Sequence, residues 1–170
     1  AATNTLLATC AAGLAWLIVE KIRDKKATSL GAASGIVAGL VAITPACANV
    51  TPMGAILLGL VAGAVCAWAV TLKYKLGFDD SFDVVGIHLV GGLVGTLALG
   101  FLASDLVEEG GQNGLLYGGD LNLLIVQIIA AAGVMVYSFI VAGIIALALK
   151  ATIGIRSDEE DEVNGIDVAE

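Results

Sequence analysis

Along this chain, long stretches almost free of charge alternate with short polar segments, and the apolar stretches are too long to be strands. Five of them reach spanning length, near residues 2–19, 27–48, 53–72, 84–103 and 121–149. A helix rises about 1.5 Å per residue, so roughly 20 apolar residues cross a hydrocarbon layer of about 30 Å. The fifth stretch is long enough to tilt or to project from the bilayer. The pattern therefore predicts an all-α fold: a polytopic transmembrane helical bundle with five spanning helices, residues 1–156, followed by an acidic cytoplasmic tail, residues 157–170.

Composition sharpens this picture. The chain is 58% hydrophobic and 14% charged, with a mean hydropathy of +0.95; soluble domains carry about 25% charged residues. Its solvent is the lipid bilayer. The net charge of −8 and the scatter of its eight basic residues in small groups exclude a nucleic-acid partner. Those basic residues set an orientation. Lys21, Arg23, Lys25 and Lys26 follow the first stretch, Lys73 and Lys75 the third, Lys150 and Arg156 the fifth. The loops "TPACANVTP" and "SDLVEEGGQNGLLYGGD" contain none. Basic loops stay on the cytoplasmic side, which places the N-terminus outside and the C-terminus inside.

Glycines recur every fourth residue at Gly31, Gly35 and Gly39, at Gly59 and Gly63, and at Gly91 and Gly95. Small residues on one helical stripe let backbones approach closely in lipid, so these stripes predict tight helix packing. Cys10, Cys47 and Cys66 each lie in an apolar run without metal-ligand spacing and read as buried apolar residues. The chain has no Ser-His-Asp set, no phosphate loop and a single histidine, which argues against an enzyme, a metal site or a cofactor. It opens on "AATNTLLATC" with no signal peptide, and it reads as a piece whose upstream part is missing.

Polar groups in hydrocarbon are costly and mark candidate functional positions. Ser34 and Thr44 lie about three helical turns apart on the second stretch; the bland alternative is a hydroxyl bonded to the preceding turn's carbonyl. Pro45 is expected to end or kink that helix. In "DDSFDVVGIHLVGGLVGTLALGFLA", Asp79 and Asp80 read as solvated and Asp83 as the helix N-cap. His88 then sits about 8 Å along the helix. Gly91, Gly92 and Gly95 are expected on its face, leaving open space for the ring. Burial would hold the imidazole neutral, with one nitrogen donating and one accepting.

With Asn4-Thr5, "GAASGIVAGLVAITPAC", "DDSFDVVGIHLVGGLVGT" and "GIRSDEEDEVNGID", the whole chain resembles the second half of an ammonium transporter of the Amt/Rh family. The resemblance implies the last five of eleven spans, in a homotrimer whose protomers each hold a narrow apolar pore for ammonium or ammonia. It assigns His88 to the second of two adjacent pore histidines, the first lying in the other half. It assigns Ser34 and Thr44 to hydroxyls near the path, Val37 and Val84 to the pore wall, and Asp83 to an acid before the histidine helix. It further implies a regulatory tail, with Arg156, Gly165 and Asp167, that meets neighbouring subunits and a PII-type signal protein. Two departures stand out: Leu89 replaces a common glycine after the histidine, and the tail stops at "GIDVAE". Two rivals remain open, a membrane ammonium sensor with a vestigial pore and a purely structural bundle. The acidic tail, with seven acids in thirteen residues, also reads as a merely solvated segment.

Overall fold

The computed structural model describes residues 1–107, 110–157 and 159–165. Among the described residues the regular elements are helices, joined by turns, and the only extended pairing is an isolated antiparallel bridge between Val50 and Ala103. The chain divides into two compact units, Ala1–Ala131 and Ala132–Glu170.

In the first unit, α1 runs Ala2–Asp24, α2 Ser29–Ile43, α3 Pro52–Ala69, α4 Leu72–Leu76 and α5 Val90–Leu102; a π-helical turn, Val85–Leu89, leads directly into α5. Local chemistry sets these limits. The Thr28 and Thr51 hydroxyls accept from Gly31 N (2.9 Å) and Gly54 N (3.2 Å), capping α2 and α3. Pro52 occupies the first turn of α3, where its missing N–H leaves no gap.

The helices Ala2–Asp24, Pro52–Leu76, Val85–Leu102 and Leu121–Thr152 are long and apolar enough to cross a membrane. The second predicted span is shorter than expected. Only 15 residues of it are α-helical, because Pro45 follows the end of α2 and residues 44–49 form successive turns. Backbone groups freed in those turns are served from outside. The buried side chain of Asn4 donates to the carbonyls of Cys47 (3.0 Å) and Val50 (2.7 Å). The first span, conversely, runs past residue 19 to Asp24 and carries a buried acid, Glu20, whose carboxylate accepts from Thr28 N and Thr28 Oγ1, both at 2.8 Å.

The core is built from small residues. Ala8, Ala42, Ala46, Ala55 and Ala62 are fully buried, with Leu58 and Ile43 filling the gaps. The glycine stripes explain how the backbones come together. A Cβ added at Gly59 or Gly63 would overlap the backbone of Ala8 or Ala12 on α1, and one at Gly95 would overlap Ala42 on α2. Such contact yields dispersion attraction along whole helix faces, which is what holds helices together when lipid removes the hydrophobic driving force. Large side chains such as Leu6, Leu14 and Ile18 are exposed on α1.

The helix α6, Leu121–Thr152, begins in the first unit, and its remainder lies in the second; none of its residues is buried. In the second unit, the short helix α7, Glu159–Asn164, follows, with Gly165 in the left-handed region (φ 100°) and its N–H bonded to Asp161 O at 3.0 Å. Four consecutive acids in the first turn of α7 suit the positive end of its dipole.

Candidate functional site

The segment leading to His88 is fixed by its acids, and not in the way the sequence pattern implies. The side chain that caps the helix belongs to Asp80, not to Asp83, which stands just before the first helical residue. Asp80 Oδ1 accepts from Val84 N at 2.8 Å and Oδ2 from Val85 N at 2.9 Å, satisfying two of the helix's orphan donors. Asp80 is half-buried rather than simply solvated. Asp83 instead adopts the left-handed region (φ 58°) and turns its carboxylate to Lys73, whose Nζ lies 2.7 Å from Oδ1. Three nearby acids precede one apolar run, and local pattern cannot tell which of them reaches back to the free amides.

Beyond the cap comes the π-helical turn Val85–Leu89, which contains His88. Such turns are rare and concentrate at functional sites. Gly86 and Ile87 anchor its inner side. A Cβ at Gly86 would overlap the backbone of Val70, and Ile87 is buried beside Cys66 and Trp16. The outer side carries His88, Val84 and Leu89, all exposed.

Within this chain His88 is exposed rather than buried, and among the described residues its ring makes no hydrogen bond. Of the three glycines expected to leave space for it, Gly91 and Gly95 are buried, Gly91 facing Ala38, Val41 and Cys66 and Gly95 against Ala42. Only Gly92, one turn beyond His88, has open space where a side chain would be.

The α2 residues fall on one stripe at helical spacing: Ser34, Val37, Val41 and Thr44. The helix packs against both the π-helical turn and α5, with Val41 touching the Gly91 position. Val37 is 37% exposed, Val84 51%, Ser34 half-buried and Thr44 exposed. Thr44 Oγ1 donates to Leu40 O at 2.7 Å, so its hydroxyl proton serves the preceding helical turn. The exposed or half-buried positions of these two segments thus include one imidazole and two hydroxyls among apolar residues. Among the described residues no set of three His, Cys, Asp or Glu side chains is placed to hold a metal ion.

In the second unit, Arg156 donates to both oxygens of Glu162, through Nε at 3.1 Å and Nη2 at 2.8 Å. That forked hydrogen bond holds the Glu162 carboxyl below its ordinary pKa. Gly165 terminates α7; Asp167 lies outside the described residues.

The model of the Ammonium Transporter Family matches residues 1–170, the entire chain. The chain belongs to the ammonium transporter family. An ammonium transporter of Mycobacterium tuberculosis is 57% identical over 172 residues, covering 98% of this chain and 36% of that protein. Among solved structures, Mep2 of Candida albicans is similar with a TM-score of 0.84 at 34% identity, over 94% of this chain and 36% of the other. A Sensor Amt Protein reaches a TM-score of 0.86 at 30% identity, over 99% and 40%. The chain thus spans well under half the length of these ammonium transporter relatives. It is a multi-pass membrane protein of their fold.

Among the buried polar residues, two have roles that the sequence pattern does not assign: Asn4 as a donor to the α2–α3 turn and Glu20 as the acceptor at the start of α2. The signal was present: both lie inside or at the edge of an apolar run, where a polar group must find a partner.

Proposed function

We propose that this chain forms the C-terminal part of an ammonium transporter, the last five of eleven spans, with its N-terminus outside and its C-terminus in the cytoplasm. In this reading the exposed face bearing His88, Ser34, Val37, Thr44 and Val84 is one wall of a narrow pore, and the preceding part of the full-length protein supplies the other. The observation that carries the reading is a lone imidazole on an exposed, apolar helix face, in a chain whose whole length matches the family.

The physics gives such a wall its purpose. Moving a bare monocation into a medium of low dielectric costs tens of kcal/mol in an idealised estimate, and still about several kcal/mol after relaxation. Potassium cannot shed its charge. Ammonium can release a proton and cross as ammonia, exchanging hydrogen bonds with the imidazole of His88 and its partner from the first half. The glycine-packed helices fit a rigid homotrimeric assembly, and the Arg156–Glu162 pair orders the base of a tail suited to a PII-type regulator.

The similarity to a Sensor Amt Protein favours one second reading, in which the same fold reports ammonium without passing it on. The deciding experiment uses the full-length protein in vesicles and compares the parent with His88→Ala for methylammonium uptake and potassium entry. Transport by the parent, lost or made unselective in the variant, supports the pore. Ammonium binding without uptake by the parent favours the sensor, and an unaltered His88→Ala variant sinks the role of the imidazole.

A further inference from the structure

Lys73 stands ten residues before Asp83, at the start of α4, yet it meets the beginning of the histidine helix at two points. Its Nζ lies 2.7 Å from Asp83 Oδ1 and donates to the carbonyl of Asp80 at 2.8 Å. The two side chains are only 15% and 28% exposed, so solvent screens the pair less than a surface ion pair. The ring of Tyr74, 5.3 Å from Nζ, covers the ammonium further.

What Lys73 grips is the register of the helix. Asp83 sits in a left-handed conformation that costs a non-glycine residue energy and persists only when its surroundings hold it. From that conformation its carbonyl accepts Ile87 N at 2.8 Å, an early hydrogen bond of the helix that carries His88. Asp80, whose carbonyl Lys73 also holds, caps Val84 and Val85. A helix start displaced by one residue turns every later side chain by about 100° around the axis. The π-helical turn shows that this ladder already departs from regular α spacing, and Gly86 against Val70 fixes its height.

We propose that Lys73 is a positioning residue for His88: by joining the Asp83 carboxylate to the Asp80 carbonyl it fixes where the helix begins and so where the imidazole points. The inference rests on the reading of His88 as a pore residue.

The test uses the full-length transporter with Lys73→Met, which keeps the apolar stem and removes the donor, with Lys73→Arg as the conservative rescue, and with His88→Ala alone and combined with Lys73→Met. Asp83→Asn, which tolerates the left-handed backbone but drops the charge, gives a second route should Lys73→Met fail to assemble. Methylammonium uptake, its half-saturating concentration and potassium entry are read for each variant on protein that elutes as the parent does. Expected for Lys73→Met or Asp83→Asn is a fall in maximal uptake of roughly tenfold or more, the scale set by displacing a functional group by about 1 Å. Lys73→Arg restores most of it, and Lys73→Met adds no further loss on the His88→Ala background. Parent-like uptake by assembled Lys73→Met and Asp83→Asn overturns the proposal, as does a loss that adds fully to that of His88→Ala. If His88→Ala itself transports and selects like the parent, the pore reading falls and this inference falls with it.

Discussion

The side-chain amide of Asn4, at the start of α1, lies 2.7 Å from the carbonyl oxygen of Val50, 46 residues further along the chain. A second bond from the same nitrogen reaches Cys47 O, so one buried amide serves two carbonyls of the turns that follow α2. Replacing Asn4 by Ala leaves those carbonyls without a donor, at a cost of about 1–3 kcal/mol. Thermal unfolding of the full-length protein in detergent is expected to occur at a lower temperature for Asn4→Ala. Asn4→Asp should fare no better, because a carboxylate cannot donate.

Gly63 and Gly92 separate packing from empty space. At Gly63 an added methyl group would enter the backbone of Ala12, so Gly63→Ala is expected to push α1 from α3 and destabilise by about 1–3 kcal/mol. At Gly92 nothing lies within reach of a methyl group in this chain. Gly92→Ala should leave the helices in place and gain up to about 1 kcal/mol of helix propensity. Since Gly92 follows His88 by one turn, uptake measurements on Gly92→Ala also report whether that open space belongs to the pore. Slowed transport in a stable variant is the expected result.

Asp80 and Asp83 are neighbours with opposite tasks. Asp80→Ala removes an N-cap and should cost about 1 kcal/mol, recoverable in part by Asp80→Ser, whose hydroxyl can still accept one amide. Asp83→Ala loses the Lys73 pair and also places an alanine at φ 58°, a conformation alanine disfavours by about 1–2 kcal/mol. Asp83→Gly loses the same pair but relieves the backbone. Comparing unfolding temperatures of the three Asp83 variants, Ala, Asn and Gly, splits backbone strain from lost pairing.

The tail responds to acid in a direction set by Glu162. Its carboxyl is held below the ordinary value by Arg156, so the pair is complete at neutral pH. Its contribution declines as pH falls from the ordinary glutamate range through the lowered folded value. Spin labels flanking α7 in the full-length protein should report an ordered tail near neutrality that loosens in acid. Glu162→Gln should be loosened already at neutral pH and respond less to acidification.

Much of the fold is legible because hydrocarbon imposes simple demands. Apolar stretches of spanning length predicted the helices of the structure, and Gly59 and Gly63 predicted a close helix contact, since period and composition alone decide both. Pro45 likewise announced the end of α2. The shortness of α2 was less visible, because residues 46–48, Ala-Cys-Ala, continue the small uncharged run beyond Pro45. Their short backbone hydrogen bonds, such as Ala46 N to Ile43 O and Asn49 N to Ala46 O, and the donation from Asn4 show that they are turns.

The site was legible in its members and not in their arrangement. A single histidine in an apolar run marks itself. That its flanking glycines Gly91 and Gly95 belong to α2's packing surface, while Gly92 alone stays open, depends on which face α5 turns inward.

By itself the sequence determined that this chain spans a membrane as helices, where its small-residue contacts would fall and that one imidazole would stand among apolar neighbours, since hydropathy and 3.6-residue periodicity are local properties. Only the tertiary structure decided that Asp80 caps the histidine helix while Asp83 turns to Lys73, that Asn4 closes the turns after Pro45, and that His88 lies on an open face. Each of these joins groups distant in sequence or picks one of several equivalent carboxylates, and such choices are made by where packed backbones leave a donor or acceptor without a partner.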